Sequence, residues 1–221
     1  MSSKIFPSEI QVRGWEAAAA TVTAEEAATT TTAWTVWKKS SMGFVGSDGF
    51  SVFDGEGRLA FRVDNYSRRS KLLLGELLLM DAVGRPLFAL KPQILSIYDE
   101  WKVYGGGEER SFEGKPKSHL FTVRRNSILR HGGEDAVEVF MRHRRGAGCG
   151  GKAADYRIEG RFRKRSCEIR GRDGEVVARI SRKKASQPSV MIGDDVFSLL
   201  VDPVVDPALM VAFVVVMDRV C

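Results

Sequence analysis

The feature that most constrains this chain is an apolar stretch close to its C-terminus. Residues 208–217 contain no polar or charged side chain, and Asp206 and Pro207 precede them. Asp is a favoured N-cap and Pro is tolerated at the first helical position, so this pair predicts the start of a helix. A helix that is apolar all round must be surrounded by protein. Because ten residues cover only about half of a bilayer core, the segment is predicted to be a buried helix and not a membrane span.

The residues before this helix predict a sheet of short antiparallel strands. Between residues 58 and 63 the apolar side chains occupy every second position, which is typical of a strand with one buried face. Asp and Gly separate such runs, and they favour turns because Asp bonds to nearby backbone and Gly accepts positive φ. The same pattern occurs in residues 50–63, 77–90 and 167–180, so three hairpins are predicted on one plan.

Further strands are predicted at residues 34–39, 120–124, 136–143, 156–162 and 196–201. Trp101 and Tyr104, close to three consecutive glycines, are interpreted as anchors of a loop on the core. Many short strands joined by turns predict a mainly β fold, a closed antiparallel barrel without unpaired edges. The predicted helix is roughly 21 Å long at about 1.5 Å per residue, which suits the axis of such a barrel.

One folded domain is expected. The 221 residues are within the range of a single large β domain. Residues 17–33 are almost entirely Ala, Thr and Glu, with too few large apolar side chains to offset the entropy of ordering. We therefore predict a flexible leader at residues 1–33 and a folded domain at residues 34–221.

Three strings in the predicted domain resemble the plant LURP-one-related family. They are residues 34–40 (WTVWKKS), residues 53–66 (FDxxG followed by FRVDNY) and residues 195–206, which lead into the apolar helix. The resemblance runs from about residue 34 to residue 218. It implies a fold like that of tubby C-terminal domains and phospholipid scramblases, with about twelve strands around a central helix. It also implies a link to plant defence signalling, and tubby domains bind phosphoinositides.

The net charge of +6 is concentrated in one part of the chain. Residues 142–184 contain 15 Lys and Arg side chains and 5 Asp and Glu side chains. Such a local excess suits a polyanionic partner, either anionic phospholipid headgroups or nucleic acid. A solvated basic surface without a specific partner is the alternative interpretation.

Strand parity predicts where part of this charge lies. If Tyr156, Ile158 and Phe162 point inward, residues of the opposite parity point outward. Guanidinium groups match phosphate oxygens in bidentate geometry, so an outward row of arginines can bind a phospholipid headgroup. The row consists of Arg157, Arg161, Arg163 and Arg165, and the predicted headgroup site adds Lys164, Arg170, Arg172, Arg182, Lys183 and Lys184.

No catalytic or cofactor motif stands out. The cysteines lack C-x-x-C spacing and the histidines are far apart, so no disulfide framework and no metal site are predicted. The glycine-rich residues 146–152 lack the strand–turn–helix context of a nucleotide-binding loop and are interpreted as a hairpin connection. We expect a protein that is not an enzyme and needs no cofactor. The residues concerned are Cys149, Cys167, Cys221, His119, His131 and His143.

Three functions remain open at this point. The first is a non-catalytic module that binds anionic phospholipid headgroups at a membrane surface. The second is a nucleic-acid-binding regulator, which is less favoured because no reading helix or zinc module is recognisable. The third is a protein-interaction scaffold. Residues 1–15 contain no apolar signal segment, so we expect a cytoplasmic protein that is peripheral at the plasma membrane or nuclear. We also expect a monomer.

Overall fold

The computed structural model describes residues 31–38, 49–65, 75–93, 96, 99–106, 118–125, 135–142, 153–183 and 193–221. Within these residues the chain forms twelve strands, one 3-10 turn and one α-helix. The strands are β1 Thr32–Lys38, β2 Phe50–Phe53, β3 Leu59–Asn65, β4 Leu77–Asp81, β5 Pro86–Pro92, β6 Asp99–Gly105, β7 His119–Arg125, β8 Asp135–Met141, β9 Tyr156–Arg161, β10 Ser166–Gly171, β11 Val176–Arg182 and β12 Val196–Val201. The 3-10 turn is Phe162–Lys164 and the helix α1 is Pro207–Val220.

The strands form one closed antiparallel barrel in which each strand pairs with its neighbours in sequence. The circle closes where β1 pairs with β12, from Thr32 opposite Val201 to Trp37 opposite Val196. Closure leaves none of the twelve strands with an unpaired edge, so this sheet offers no template for adding another strand. The predicted mainly β fold, a closed barrel with a C-terminal helix, is confirmed.

The helix α1 lies inside the barrel. The side chains of residues 210–217 are at most 1% exposed, and all twelve strands contribute buried apolar side chains to the same core. Phe213 packs edge-on against Phe121 of β7, with ring centroids 5.4 Å apart, and lies tilted against Tyr156 of β9, with ring centroids 5.3 Å apart. Burying one Val or Phe side chain contributes about 1.5–3 kcal/mol, so this continuous core is the main source of stability.

The sequence signals at the start of α1 have the predicted roles. The Asp206 carboxylate accepts a hydrogen bond from the backbone N–H of Ala208 at 2.9 Å, and Pro207 occupies the first turn. Valine has a low helix propensity, so packing against the strands must hold the later turns. In the part of the chain that the structure describes, no helix is both long enough and apolar enough to cross a membrane.

The two ends of the barrel differ. The β2–β3, β4–β5 and β10–β11 hairpin turns lie at the end where α1 begins. The last turn of α1 lies at the opposite end, where Lys38 at the end of β1 pairs with Asp218 at 2.9 Å. We call this opposite end the C-terminal rim. It also holds the 3-10 turn, the end of β11 and the start of β12.

Two hairpin turns share the same side-chain hydrogen bonds. The Asp54 carboxylate accepts from the backbone N–H groups of Glu56 and Arg58 at 3.0 and 2.9 Å, and from Arg58 Nε at 2.8 Å. These bonds from Arg58 lower the pKa of Asp54. Asp81 makes the equivalent bonds in the β4–β5 turn. The β10–β11 turn keeps the backbone bonds but has Gly171 in place of the aspartate.

Besides shifts of one or two residues at other strand ends, the structure differs from the sequence-based predictions in two boundaries and one interpretation. β1 begins at Thr32, two residues before the predicted domain start, and residues 1–30 lie outside the described residues. β9 ends at Arg161, because the chain turns there into the 3-10 turn. The interpretation of Trp101 and Tyr104 as anchors of a loop is wrong, since both lie in β6. Trp101 and Val103 face the core, and Tyr104 has the outward parity.

We expect Val215→Asp to abolish soluble folded protein and Val204→Asp to leave the fold intact. Val215 is fully buried in α1, whereas Val204 is 89% exposed in the turn before it. Burying an unpaired carboxyl group costs several kcal/mol, which is comparable to a typical free energy of unfolding of about 5–15 kcal/mol. Circular dichroism and size-exclusion chromatography measure the outcome. A monodisperse Val215→Asp protein with a native β spectrum would show that α1 does not hold the barrel together.

The hairpin turns give a second prediction. Gly57 has φ +78°, whereas Gly55 in the same turn has no positive φ, and a Cβ atom there would make only an ordinary contact, 3.9 Å from the Ala33 carbonyl oxygen. We expect Gly57→Ala to lower the free energy of unfolding by about 1 kcal/mol, because L residues resist the left-handed conformation. Gly55→Ala should change it by less than about 0.5 kcal/mol. Urea denaturation compares the two variants, and equal losses would contradict the argument.

Candidate anion-binding site

The basic residues of the predicted site lie on two different parts of the barrel. One group is on the outer wall of β9 and β10 and in the β10–β11 turn. This group consists of three arginines, and each is paired with a carboxylate. The pairs are Arg157 with Glu138 (Nε–Oε1 3.7 Å), Arg170 with Glu168, and Arg172 with Asp155. Their positive charge is therefore largely offset by neighbouring acidic groups.

Arg157 is the end of a charge ladder that crosses four strands. It lies directly opposite Glu138 of β8, which lies opposite Arg124 of β7. Arg124 in turn binds Glu100 of β6 at 3.0 Å. Exposed ion pairs of this kind contribute only about 0–1 kcal/mol each to stability. The signs alternate from β6 to β9, which weakens the local field there, and beyond this ladder Arg157 lies opposite Arg170 of β10.

The second group gathers five cations at the C-terminal rim. Arg161 ends β9, Arg163 and Lys164 belong to the 3-10 turn, and Arg182 and Lys183 end β11 and follow it. The two segments touch, because Arg182 Nε donates a hydrogen bond to the Lys164 carbonyl oxygen at 3.2 Å. All five side chains are exposed. We call Arg161, Arg163, Lys164, Arg182 and Lys183 the rim cluster.

The rim cluster is only partly neutralised. The carboxylate of Asp194 pairs with Arg182 at 3.2 Å. Lys183 Nζ donates to the hydroxyl of Thr35 on β1, which is uncharged. Arg161 and Lys164 make no ion pair with any residue that the structure describes. The cluster therefore retains positive charge that faces solvent.

Part of the charge at this rim serves the helix. Arg163 Nε donates a hydrogen bond to the carbonyl oxygen of Cys221 at 2.7 Å, and Arg125 of β7 donates to the carbonyl oxygen of Val220. The last carbonyl groups of a helix lack intrahelical partners and carry partial negative charge, so cations stabilise them. Arg163 is thus a helix-capping residue as well as an exposed cation, a role that strand parity did not reveal.

The prediction that Arg165 points outward is wrong. Its side chain is 6% exposed, and the guanidinium lies 4.7 and 4.2 Å from the ring centroids of Phe162 and Phe197. Arg165 Nε donates to the carbonyl oxygen of Asp194 at 3.1 Å, but Nη1 has no hydrogen-bond partner among the described residues. The 3-10 turn interrupts the parity of β9, and Arg165 adopts φ +52°, which directs its side chain inward. Burial lowers the pKa of this guanidinium.

Sequence reasoning missed Trp37 as part of this surface. Its side chain is 49% exposed at the rim end of β1, opposite Val196. The bond from Lys183 to Thr35 brings the rim cluster onto the same strand. The signal was available, because Val36 is apolar and faces the core, which directs Trp37 outward.

The remaining candidate residues do not join the rim cluster. Burial lowers the pKa of His119, whose Nε2 lies 3.1 Å from the hydroxyl of Thr122. Cys167 is buried, and Cys221 is half-buried at the end of α1. Among the described side chains, no group of three His, Cys, Asp or Glu residues is arranged to hold a metal ion. Several residues lie outside the described residues, namely Lys184, Cys149, His131, His143 and the glycine-rich residues 146–152.

The burial of Arg165 leads to a stability prediction. We expect Arg165→Met to be at least as stable as the wild type, because it fills most of the same volume without a buried, incompletely bonded charge. Arg165→Ala should lower the free energy of unfolding by about 2 kcal/mol, because it also loses the packing against both rings. Chemical denaturation of both variants measures this. A loss in Arg165→Met as large as in Arg165→Ala would show that the charge itself holds the rim together.

Comparison with known proteins assigns the chain to one family, the same family that the sequence motifs at residues 34–40, 53–66 and 195–206 resemble. The model of the LURP-one-related family matches residues 32–218, from β1 to the last turn of α1. The chain is 38% identical to protein LURP-one-related 5 of Arabidopsis thaliana over 184 residues, which is 83% of this chain and 80% of that protein. It is 33% identical to protein LURP-one-related 8 of the same plant, covering 84% of this chain and 85% of that protein.

An X-ray structure of an Arabidopsis thaliana protein has a similar fold. It aligns with a TM-score of 0.56 at 24% identity and covers 87% of this chain and 93% of the other. At this level of identity the likeness supports the fold alone. The family match, by contrast, includes the whole barrel and the buried helix, and the resemblance noted in the sequence is confirmed. This chain belongs to the LURP-one-related family.

Proposed function

We propose that this chain is a non-catalytic module that binds anionic phospholipid headgroups at a membrane surface through the rim cluster. The observation that carries the proposal is the unbalanced charge at one end of the barrel. Five exposed cations lie together there, and among the described residues the ion pair within this cluster is the one between Arg182 and Asp194. On the barrel wall from β6 to β9, by contrast, cations and carboxylates alternate.

An exposed aromatic side chain beside the cations supports the same proposal. Trp37 is at the C-terminal rim, and its indole ring is about half exposed. Indole rings favour the headgroup level of membranes, because an apolar body and a polar N–H suit that boundary. A surface that combines Trp37 with the rim cluster suits a bilayer better than it suits a purely aqueous partner.

The expected strength is that of reversible recruitment. A basic side chain near an anionic membrane surface contributes about 1 kcal/mol. Three to five such residues give about 3–5 kcal/mol, since Arg182 and Arg163 are partly engaged, which corresponds to a dissociation constant of roughly 0.1–10 mM. Screening acts over about 8 Å at physiological salt, so the binding should weaken as salt rises. Charge-driven binding needs no nucleophile, no acid–base pair and no cofactor.

The family resemblance supports the biological side of this proposal. Tubby domains, which the family resembles, bind phosphoinositides, and the family is linked by resemblance to plant defence signalling. Reversible recruitment would bring a cytoplasmic regulator to the inner face of the plasma membrane. The same chemistry would hold the protein at any other anionic membrane surface.

The prediction is a selective loss of vesicle binding when rim charges are removed. The triple variant Arg161→Gln, Lys164→Gln, Lys183→Gln should bind vesicles of phosphatidylcholine and phosphatidylserine roughly 100-fold more weakly, since three contributions of about 1 kcal/mol are lost. Vesicle co-sedimentation over a lipid titration measures this. Vesicles of phosphatidylcholine alone should bind neither protein.

A matched control removes the same charge from the other end of the barrel. Arg58, Arg85 and Arg172 lie in the three hairpin turns, and their replacement by Gln should leave vesicle binding almost unchanged. Equal losses in the two triple variants would mean that only net charge matters and would overturn the assignment to the rim. Absence of wild-type binding to anionic vesicles, together with binding of duplex DNA that the rim variant loses, would favour a nucleic-acid partner instead.

A further inference from the structure

Cations from three sides of the barrel converge on the last turn of α1. Two of them, Arg125 of β7 and Arg163 of the 3-10 turn, donate to backbone carbonyl groups. The third contact is an ion pair between Lys38 of β1 and Asp218 of α1, with Nζ 2.9 Å from Oδ1. Of these three contacts, the ion pair is the one that joins two side chains. It is therefore the contact that an external anion can replace charge for charge.

Lys38 lies on the same rim as the rim cluster. It ends β1 beside the exposed Trp37, and its backbone N–H donates to the Asp195 carbonyl oxygen at 2.8 Å. The start of β12 lies between the end of β1 and the end of β11, which carries Arg182. Neighbouring strands are about 4.8 Å apart, so the backbone of Lys38 is roughly 10 Å from β11. A membrane surface that covers the rim cluster therefore also faces Lys38.

The two partners of the ion pair differ in their access to solvent. The Lys38 side chain is 30% exposed, whereas the Asp218 side chain is 7% exposed. An external anion can thus approach the ammonium group, but an external cation cannot approach the carboxylate. The flexible stem of a lysine lets its Nζ move towards solvent while the stem stays packed. The pair is therefore open to competition from the lysine side.

Asp218 has a second cation close to it. Burial lowers the pKa of the Arg165 guanidinium, and Asp218 is the charged neighbour that opposes this effect most strongly. Arg165 is fixed in place, because its guanidinium stacks on the rings of Phe162 and Phe197. Removing the last partner of a buried charge is strongly destabilising. Since Arg165 stays beside the carboxylate, Lys38 can leave Asp218 without stranding a buried charge.

While the pair is intact, Lys38 adds little to the positive field of the rim. At 2.9 Å the carboxylate offsets the ammonium charge, so an approaching anion meets a dipole in place of a full positive charge. The helix thus supplies, in Asp218, an internal substitute for an external anion. Such a contact lowers the affinity of the rim for anions by the contribution of one cation.

We propose that the ion pair between Asp218 and Lys38 is an autoinhibitory contact, through which α1 withholds a further cation from the anion-binding rim. A headgroup that docks on the rim cluster competes with Asp218 for Lys38, and it takes over the ammonium group where anionic lipids are dense. The inference rests on the proposed function, because it concerns the regulation of that same site. Binding should therefore rise more steeply with the charge of the membrane than the rim cluster alone allows.

A double-mutant cycle on vesicle binding tests the competition. Asp218→Asn removes the competitor and should bind vesicles of phosphatidylcholine and phosphatidylserine about fivefold more tightly than the wild type, the contribution of one basic side chain. Lys38→Gln should weaken binding about fivefold in the Asp218→Asn protein and much less in the wild type. The reason is that the ammonium group is free to meet a headgroup only after the competitor is removed. Vesicle co-sedimentation measures all four proteins.

A matched control removes a paired carboxylate from the opposite end of the barrel. Glu56 pairs with Arg58 at 2.8 Å in the β2–β3 turn, so Glu56→Gln raises the net charge by the same amount as Asp218→Asn. We expect Glu56→Gln to leave vesicle binding almost unchanged. Equal gains in the two variants would mean that only net charge matters and would overturn the proposal. Circular dichroism checks the fold, and Asp218→Ser repeats the test if Asp218→Asn does not fold.

A second measurement needs no membrane. Acetylation of lysines by a small reagent, followed by mass spectrometry, reports how firmly each ammonium group is held in solution. Lys38 should be labelled several-fold more slowly in the wild type than in Asp218→Asn, whereas Lys164 should be labelled equally in both proteins. Equal labelling of Lys38 in the two proteins would show that Asp218 does not hold it, and this result would overturn the proposal whatever the vesicles show.

Failure of this contact and failure of the proposed function give different results. If the wild type binds anionic vesicles but Lys38→Gln costs the same factor in both backgrounds, the autoinhibitory contact is overturned and the rim proposal stands. Weaker binding by folded Asp218→Asn would also overturn it, since the pair would then support the site. If neither the wild type nor Asp218→Asn binds, the proposed function fails and its regulation fails with it. Binding by Asp218→Asn alone would support a contact that closes the site.

Discussion

The contact between α1 and the inner wall of the barrel is the interaction on which the remaining structure depends. A helix rich in valine has poor intrinsic stability, and a barrel of twelve short strands has an interior that must be filled. Each element supplies what the other lacks. The apolar side chains of α1 fill the axis, and buried side chains from all twelve strands surround it. Neither element is expected to persist alone, because each would expose a large apolar surface to water.

A buried helix also places constraints on the charges around it. Its first turn is capped by Asp206 at one end of the barrel, so its carbonyl groups emerge at the other end. Arg163 and Arg125 bind these carbonyl groups. The direction of the helix therefore explains in part why cations concentrate at the C-terminal rim. The rim holds more cations than the end of the helix needs. The cations that do not bind the helix, such as Arg161 and Lys164, are available for binding an external anion.

Much of this fold could be predicted because its strongest signals are local. An unbroken apolar segment after Asp206 and Pro207 predicts a buried helix from solvation and capping alone. The strand β6 was missed although its side chains alternate, because the adjacent glycines favoured a loop. The position of Arg165 could not be predicted from parity, since parity holds only while the strand continues. One 3-10 turn with a left-handed residue at its end reverses the direction of that side chain.

The distribution of charges on the barrel depends on register, which no local pattern contains. Parity correctly directs Arg157 outward, but only the pairing of β8 with β9 places Glu138 opposite it. In the same way, Ser166 and Ser181 become one row of donors because β10 and β11 pair in a particular register. A count of basic residues therefore overestimates the anion-binding surface where register supplies carboxylates. Affinity for an anion on a barrel wall is thus determined by neighbours on adjacent strands and only secondarily by the charge of one strand.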